Sequence, residues 1–304
     1  MSSRYIFTVW PEGKPKALTL SYDDGNRADV RLAEMMRRYG LKGTFNLCPG
    51  LNDLPDEIRN PAGKSGWDLM PLKEALKVYG DDMEVAIHGD YHGWWNTMPT
   101  NAVIADILDC KARLEAETGR VIRGAAYPYG AYNDTVKDIL RLAGVVYCRT
   151  ISCNGSFSFP PKSNLKPFDL LEFEATTRNV NADFLPLAHR FAEDADPFPR
   201  EAKQLFYLWG HSFELAKDDG WARMEEFMQT VSGKDYIWYA TNIEIFDYYN
   251  ATLQLVFDAL QTQVTNPTST DIWLRFKQGS FNRIIPVPAG ATVSLPQNKE
   301  EFDE

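Results

Sequence analysis

The most informative stretch of the sequence is Thr19-Leu-Ser-Tyr-Asp-Asp-Gly25. Residues 17–22 form an apolar run of strand-forming character that ends abruptly on two adjacent carboxylates and a glycine. Two negative charges at a strand tip repel each other, and this costs free energy unless a cation or a shared proton lies between them. The stretch therefore predicts a strand that ends at a charged site.

Strand-like and helix-like stretches alternate over the following 240 or so residues, a pattern typical of βα units with a parallel sheet. Seven or eight such units indicate an α/β fold of the barrel kind. Residues 151–169 lack periodicity and are predicted as a long surface loop. Further strands are predicted at 43–48, 83–87, 124–127, 145–149, 170–173, 204–209 and 236–240, and helices at 29–39, 71–79, 99–118, 133–143, 182–191, 220–231 and 241–260.

The sequence pattern changes near residue 262, where short β-like runs are separated by Asn-Pro, Gly-Ser and Pro-Ala-Gly turns. We therefore predict two parts: a barrel domain over residues 1–261, and a small antiparallel β appendage with an acidic tail over residues 262–304.

Composition and charge exclude several classes of partner. A net charge of −10 argues against nucleic acid or an anionic membrane surface as a ligand. No apolar segment approaches the roughly 18 residues of a membrane span. The first residues lack a secretory pattern, so we expect a cytoplasmic protein. The sequence gives no prediction of the oligomeric state.

Side chains capable of chemistry follow the predicted strands at their carboxyl ends. Asp23 and Asp24 follow the first strand, His88 the third, Tyr129 the fourth, and His211 the strand at 204–209. Because barrel enzymes build their sites from this end of the strands, we expect these residues to converge.

The sequence His88-Gly-Asp-Tyr-His92 predicts a metal site. In a helical turn, residues i and i+4 face the same side, so both imidazoles could reach one ion. Two imidazoles and one carboxylate are sufficient for a catalytic divalent metal with a position left open for water. Zn²⁺ suits this ligand set best, and Co²⁺, Ni²⁺ or Mn²⁺ could occupy it. The carboxylate that does not bind the metal could take a proton from water, and His211 could donate one to a leaving amine.

These residues resemble the motifs of the polysaccharide deacetylases, carbohydrate esterase family 4. Thr19-Leu-Ser-Tyr-Asp-Asp-Gly25 is similar to the TFDDG motif, and His88-xxx-His92 to the histidine motif. Tyr127-Pro-Tyr-Gly130 resembles the third motif and Leu208-Trp-Gly-His211 the last one. The resemblance spans about residues 17–260. It implies a distorted (β/α) barrel of seven or so strands and metal-dependent hydrolysis of an N-acetyl group.

The resemblance also implies individual roles. Asp23 would be the catalytic base, His211 the general acid, and Tyr129 the donor of a backbone N–H to the oxyanion. The implied metal ligands are Asp24, His88 and His92.

The sequence departs from the family pattern at three places. Ala126 stands where the family often has an arginine that orients the base. No clear fourth motif is present, although Trp221 or Arg178 could serve. Gly210 is an extra residue in the last motif.

Aromatic residues flank the motifs and are candidates for stacking on a sugar ring, although core packing explains such residues equally well. Glu214 could bind a polar group of the substrate or cap its loop. The predicted substrate-binding residues are Trp94, Trp95, Tyr132, Trp209 and Glu214.

The function that the resemblance implies is metal-dependent removal of N-acetyl groups from an N-acetylated carbohydrate, and we expect either an oligosaccharide or a small glycoconjugate. Two alternatives stay open. One is a related C–N hydrolase acting on a non-sugar linear or cyclic amide, and the other is a carbohydrate-binding barrel without catalysis.

Overall fold

A computed structural model of the chain describes residues 4–61, 66, 68–161, 168–193 and 203–298. Its strands are β1 (Arg4–Val9), β2 (Lys16–Asp23), β3 (Gly43–Leu47), β4 (Glu84–Ile87), β5 (Gly124–Ala126), β6 (Tyr147–Cys153), β7 (Phe173–Ala175), β8 (Thr177–Arg178), β9 (Gln204–Gly210), β10 (Ile237–Tyr239), β11 (Val256–Phe257), β12 (Gln263–Thr265), β13 (Ile272–Gln278), β14 (Phe281–Val287) and β15 (Thr292–Ser294). Its α-helices are α1 (Asp29–Arg38), α2 (Pro49–Asn52), α3 (Asp56–Arg59), α4 (Leu72–Tyr79), α5 (Thr100–Thr118), α6 (Asp134–Leu142), α7 (Phe184–Glu193), α8 (Gly220–Val231) and α9 (Asn242–Thr252).

A parallel sheet forms the barrel, with strand order β7-β6-β5-β4-β3-β2-β9-β8. Only Thr176 separates β7 from β8, and its backbone N–H donates to Tyr207 O at 2.8 Å. The segment 173–178 therefore pairs with β6 along one half and with β9 along the other, which closes the barrel. The predicted α/β barrel of about seven strands is confirmed. β10 adds a short parallel pairing to the first residues of β2.

Alternation along β2 decides which side chains enter the barrel. Every residue of this strand is buried, as expected for a parallel strand covered on both faces. Leu18, Leu20 and Tyr22 pack on the outside against the helices. Ser21 and Asp23 point inward, where Asn46 Nδ2 donates to Ser21 Oγ at 2.9 Å and to Asp23 Oδ1 at 2.8 Å. The strand thus delivers Asp23 to the carboxyl end of the barrel interior.

The opposite end of the barrel is held by the buried carboxylate of Glu84. It accepts hydrogen bonds from Thr44 Oγ1 and Tyr147 OH, both at 2.7 Å, and from the backbone N–H of Ile243 at 2.8 Å. Burial raises the pKa of Glu84 to about 7, against the effect of these three donors. Because Ile243 lies in the first turn of α9, this carboxylate attaches the last helix to the barrel.

Antiparallel strands near the C-terminus are confirmed, with two differences from prediction. Helix α9 ends at Thr252 rather than at residue 260, because the chain then forms β11, which pairs with β12. β1, which was not predicted, pairs with β13 along six residues, so the antiparallel part includes both ends of the chain. The division at residue 261 stays a prediction, and the acidic tail lies outside the described residues from position 299 onward.

The segment predicted as a loop over 151–169 also begins differently. β6 continues to Cys153, because its end pairs with β7. Residues 162–167 of this segment lie outside the described ranges. Within the described residues, no helix is long and apolar enough to span a membrane.

Candidate metal centre

Asp24 leaves the β2 strand in a left-handed backbone conformation, with φ of 79°. This conformation is uncommon for a non-glycine residue, and it turns the Asp24 side chain away from the direction of the preceding Asp23. Asn52 Nδ2 donates to Asp24 O at 3.3 Å and to Met70 O at 3.0 Å, which ties the turn to its neighbours. The two adjacent carboxylates therefore reach different partners.

The two histidines meet because of a bent loop. The prediction of a helical turn over 88–92 is wrong, since these residues contain no helix and both Gly89 and His92 have positive φ, at 77° and 54°. The bend brings His88 Nε2 and His92 Nε2 to 3.1 Å from each other. The pairing of the rings is as predicted, although the backbone that produces it is not.

The ligand atoms fit a tetrahedral ion. Asp24 Oδ1 lies 3.7 Å from His88 Nε2 and 3.6 Å from His92 Nε2. Ligands bound to Zn²⁺ at 2.0–2.1 Å in tetrahedral geometry are about 3.3 Å apart, close to all three separations. Within the described residues, Asp24, His88 and His92 form a group of three whose ligand atoms lie near enough to share one ion.

The protonation states of both rings suit metal binding. His88 Nδ1 lies 2.8 Å from Ala126 O, and this contact assigns the ring proton to Nδ1 and leaves Nε2 as a free lone pair. Burial, assisted by the neighbouring His88, lowers the pKa of His92 to about 4. His92 is therefore neutral near pH 7, which is the form that binds a metal.

Asp106 on α5 holds the histidine loop in place. Its Oδ1 accepts the backbone N–H of Tyr91 at 2.9 Å, and its Oδ2 accepts the indole N–H of Trp95 at 2.7 Å. A Cβ at Gly89 would lie 2.5 Å from Asp106 Oδ2, so the loop needs glycine there for space as well as for its φ. Trp95 is only 1% exposed, and its indole is bound to Asp106. The prediction that Trp95 contacts substrate is therefore wrong.

Arg149 on β6 supplies the cation that the sequence lacks at Ala126. Its Nη2 donates to both oxygens of Asp23, at 2.6 and 2.5 Å, and both side chains are buried. Burial alone would raise the pKa of Asp23, but the Arg149 guanidinium, with smaller effects of His88 and His211, holds it well below its usual range. The signal for this residue was a charge at the end of the predicted strand 145–149, since a buried charge requires a partner.

His211 faces both aspartates from the end of the neighbouring strand β9. Its Nε2 lies 4.0 Å from Asp23 Oδ2 and 3.8 Å from Asp24 Oδ2, and its Nδ1 lies 3.4 Å from Glu214 Oε1. Burial opposes protonation, but Glu214 and the two aspartates outweigh it and raise the pKa of His211. Arg178 donates to the same Glu214 oxygen.

Tyr129 lies on a tight turn beside the histidines. The 3-10 turn Pro128–Gly130 places Tyr129 at φ of 56°, a third strained position at this site. The Tyr129 ring contacts His92 edge-on at 4.3 Å and stacks on Trp94, with centroids 4.2 Å apart and 7° between planes. Trp94 is 53% exposed, so this stacked pair forms a flat apolar surface at the rim.

A cavity of about 430 Å³ connects these residues. Of the predicted substrate-binding residues, Trp209 and Glu214 line it, whereas Trp94, Trp95 and Tyr132 do not. Tyr132 stacks on Tyr127 instead. Among the two candidates for a fourth motif, Arg178 lines the cavity, and Trp221 packs against Arg31 elsewhere. The predicted catalytic and metal-binding side chains along the wall are Asp23, Asp24, His88, His92, Tyr129 and His211.

Residues 11–148 match the sequence profile of the family described as polysaccharide deacetylase. The matched segment, less than half of the chain, is similar to this family. It includes the aspartate pair, both histidines of the loop and Tyr129, whereas His211 lies beyond it. No curated protein matches the sequence.

Solved structures with TM-scores above 0.5 share this fold at low sequence identity. A probable polysaccharide deacetylase from Pseudomonas aeruginosa PAO1 has a TM-score of 0.58 at 15% identity, over 79% of this chain and 93% of that one. PuuE allantoinase has a TM-score of 0.55 at 14% identity, over 80% and 93%. The Streptococcus pyogenes deacetylase PplD has a TM-score of 0.37 at 22% identity, over 44% of this chain. This chain therefore spans about half (55%) of the length of that protein.

Removing the partner of Asp23 tests the buried ion pair. We expect Arg149→Met to lower the free energy of unfolding of the metal-free protein by about 3–5 kcal/mol, because it leaves a buried charge unpaired. Urea denaturation measures this change. The double variant Arg149→Met/Asp23→Asn should recover most of the loss.

The matched control is the exposed pair of Arg123 and Asp247, which are 2.6 Å apart. Arg123→Met should change the free energy of unfolding by about 0–1 kcal/mol. An equally small effect of Arg149→Met would contradict the assignment of a buried pair.

Proposed function

We propose that the protein is a metal-dependent hydrolase that removes N-acetyl groups from an N-acetylated carbohydrate, either an oligosaccharide or a small glycoconjugate. One observation carries the proposal: Asp24, His88 and His92 meet at tetrahedral spacing beside Asp23, and His211 lies within 4.0 Å of Asp23. The similarity of residues 11–148 to the polysaccharide deacetylase family supports the proposal.

The group Asp24, His88 and His92 would hold the ion, with Zn²⁺ as first candidate and Co²⁺, Ni²⁺ or Mn²⁺ as others. When bound, such an ion supplies Lewis acidity toward a carbonyl oxygen and makes water easier to ionise near neutral pH.

Asp23 is the proposed general base. Both of its oxygens accept from Arg149 and Oδ1 also accepts from Asn46, whereas Oδ2 lies 3.8 Å from His88 Nε2 and 4.0 Å from His211 Nε2. Oδ2 is thus the atom nearest the reaction centre, and it would accept the proton of the attacking water. Arg149 keeps the carboxylate ionised and fixes its orientation.

Tyr129 would donate its backbone N–H to the oxyanion of the tetrahedral intermediate. Its left-handed backbone conformation costs free energy that an ordinary turn would not require, a pattern concentrated at functional sites. A donor fixed before substrate arrives needs no rearrangement during the reaction.

His211 is the proposed general acid. Its Nδ1 faces Glu214, so Nε2, which points toward both aspartates, is the atom that would protonate the leaving amine. Acid and base thus lie side by side, with His211 Nε2 4.0 Å from Asp23 Oδ2.

A second candidate function is hydrolysis of a non-sugar linear or cyclic amide. The observation in its favour is the guanidinium of Arg178 in the cavity wall, which could bind a polar group of such a substrate. One solved structure with this fold is named an allantoinase. A carbohydrate-binding barrel without catalysis is disfavoured, because the proposed base, acid and ligands all converge.

A substrate panel tests the proposal. Protein loaded with each of the four candidate metals should release acetate from N-acetylglucosamine oligomers and not hydrolyse linear or cyclic non-sugar amides. Turnover of an amide instead would favour the second candidate. Sugar binding by calorimetry, without acetate release under any metal, would contradict both. The cytoplasmic location stays a prediction that cell fractionation would test.

Two variants separate the base from the metal ligands. Asp23→Asn should keep metal affinity within about twofold and lower kcat by about 10²–10⁴-fold, because it removes only the proton acceptor. Asp24→Ala should lower metal affinity by more than about 100-fold and abolish turnover with it. Equilibrium dialysis and acetate release measure both. Full turnover by metal-free protein would rule the mechanism out.

Glu214 controls the alkaline limit of activity. Because its carboxylate raises the pKa of His211, Glu214→Gln should lower that pKa, so His211 loses its proton at a lower pH. The alkaline limb of the kcat profile should therefore move to lower pH, whereas Glu214→Asp, which keeps the charge, should move it less. A shift toward higher pH would contradict the role of His211 as an acid.

A further inference from the structure

Trp209 occupies the point where the two halves of the proposed catalytic machinery meet. It lies on β9 between β2 and β8, with Ser21 and Arg178 as its register partners. Its side chain lines the cavity, yet the residue is only 4% exposed. Little of the ring is therefore left for stacking on a sugar, which is the role suggested by sequence.

Two guanidinium groups lie against this one indole. Arg149 Cζ is 4.4 Å from the ring centroid, and Arg178 Cζ is 4.7 Å from it. Both distances are well within the roughly 6 Å over which an aromatic face attracts a cation. Tryptophan is the most effective of the aromatic side chains in this interaction.

The hydrogen bonding of both arginines is incomplete in the same way. Among the described residues, Arg149 Nε and Arg178 Nε are buried and have no hydrogen-bond acceptor. A buried donor without an acceptor costs free energy. Each guanidinium instead lies against the electron-rich indole, and this attraction offsets part of the cost.

Each arginine serves a different side of the reaction. Arg149 binds both oxygens of Asp23, the proposed base. Arg178 binds Glu214, whose carboxylate faces His211, the proposed acid. The indole N–H of Trp209 donates to Cys153 Sγ at 3.3 Å, which limits rotation of the ring.

We propose that Trp209 is a positioning residue that holds Arg149 and Arg178 at once and thereby sets the orientation of both the base and the acid. This inference rests on the proposed function. It predicts that loss of the ring disturbs catalysis through the two arginines rather than through substrate binding.

The kinetic test compares Trp209→Leu, which removes the ring, with Trp209→Phe, which keeps a smaller one. We expect Trp209→Leu to lower kcat by about 10²-fold, the effect of misplacing catalytic groups, with KM and metal affinity within about twofold. Trp209→Phe should recover part of kcat. A rise in KM with kcat retained would overturn the proposal in favour of a substrate contact.

A double-mutant cycle sharpens the test. Trp209→Leu combined with Arg178→Met should be no worse in kcat than the more severe single variant, since both changes act on the same unit. Effects on kcat that multiply independently would overturn the proposal. Arg178 is chosen because its ion pair is partly exposed, so the variant is less prone to unfold than one at Arg149.

A structural measurement does not depend on turnover. Crystal structures of Trp209→Leu and Trp209→Phe should show both arginines separated from Asp23 and Glu214 in the first variant and bound to them in the second. Arginines that keep both carboxylates in Trp209→Leu would overturn the proposal. If wild-type protein releases no acetate, the proposed function fails, and this comparison still decides the role of Trp209.

Discussion

Two neighbouring carboxylates at the end of one strand must be neutralised separately, and the rest of the site follows from that constraint. Alternation along β2 sends Asp23 into the barrel, where Arg149 neutralises it. The left-handed turn at Asp24 sends the next carboxylate toward two imidazoles. Two like charges in adjacent positions thus acquire different environments, so that one could act as a base while the other holds an ion.

Backbone strain marks the same place. Asp24, His92 and Tyr129 are three of the six non-glycine residues with positive φ in the described part of the chain. Such conformations cost of order 1–3 kcal/mol each and persist only when the surroundings determine them. Here those surroundings include the Asn52 hydrogen bonds beneath Asp24 and the Asp106 carboxylate beneath the histidine loop. The scaffold thus sets the positions of the ligand and donor groups before any substrate binds.

Prediction from sequence succeeded where position along a strand determines the outcome. Asp23, His88 and His211 follow strands, and the carboxyl ends of parallel strands meet at one edge, so their convergence followed from periodicity alone. It failed where a partner is distant in sequence, as for Arg149, which lies 126 residues from Asp23. The prediction that Trp95 contacts substrate also failed. Its indole donates to the buried Asp106 carboxylate, and the sequence does not distinguish such a tryptophan from one that faces solvent.

The chemistry proposed for this protein depends on one ion held jointly by Asp24, His88 and His92. Anomalous X-ray diffraction from crystals equilibrated with Zn²⁺, recorded on both sides of the zinc absorption edge, would locate such an ion. We expect one strong peak about 2.0–2.2 Å from Asp24 Oδ1 and the Nε2 atoms of both histidines. No peak at that position, or a zinc ion bound elsewhere while these three side chains stay free of metal, would contradict it.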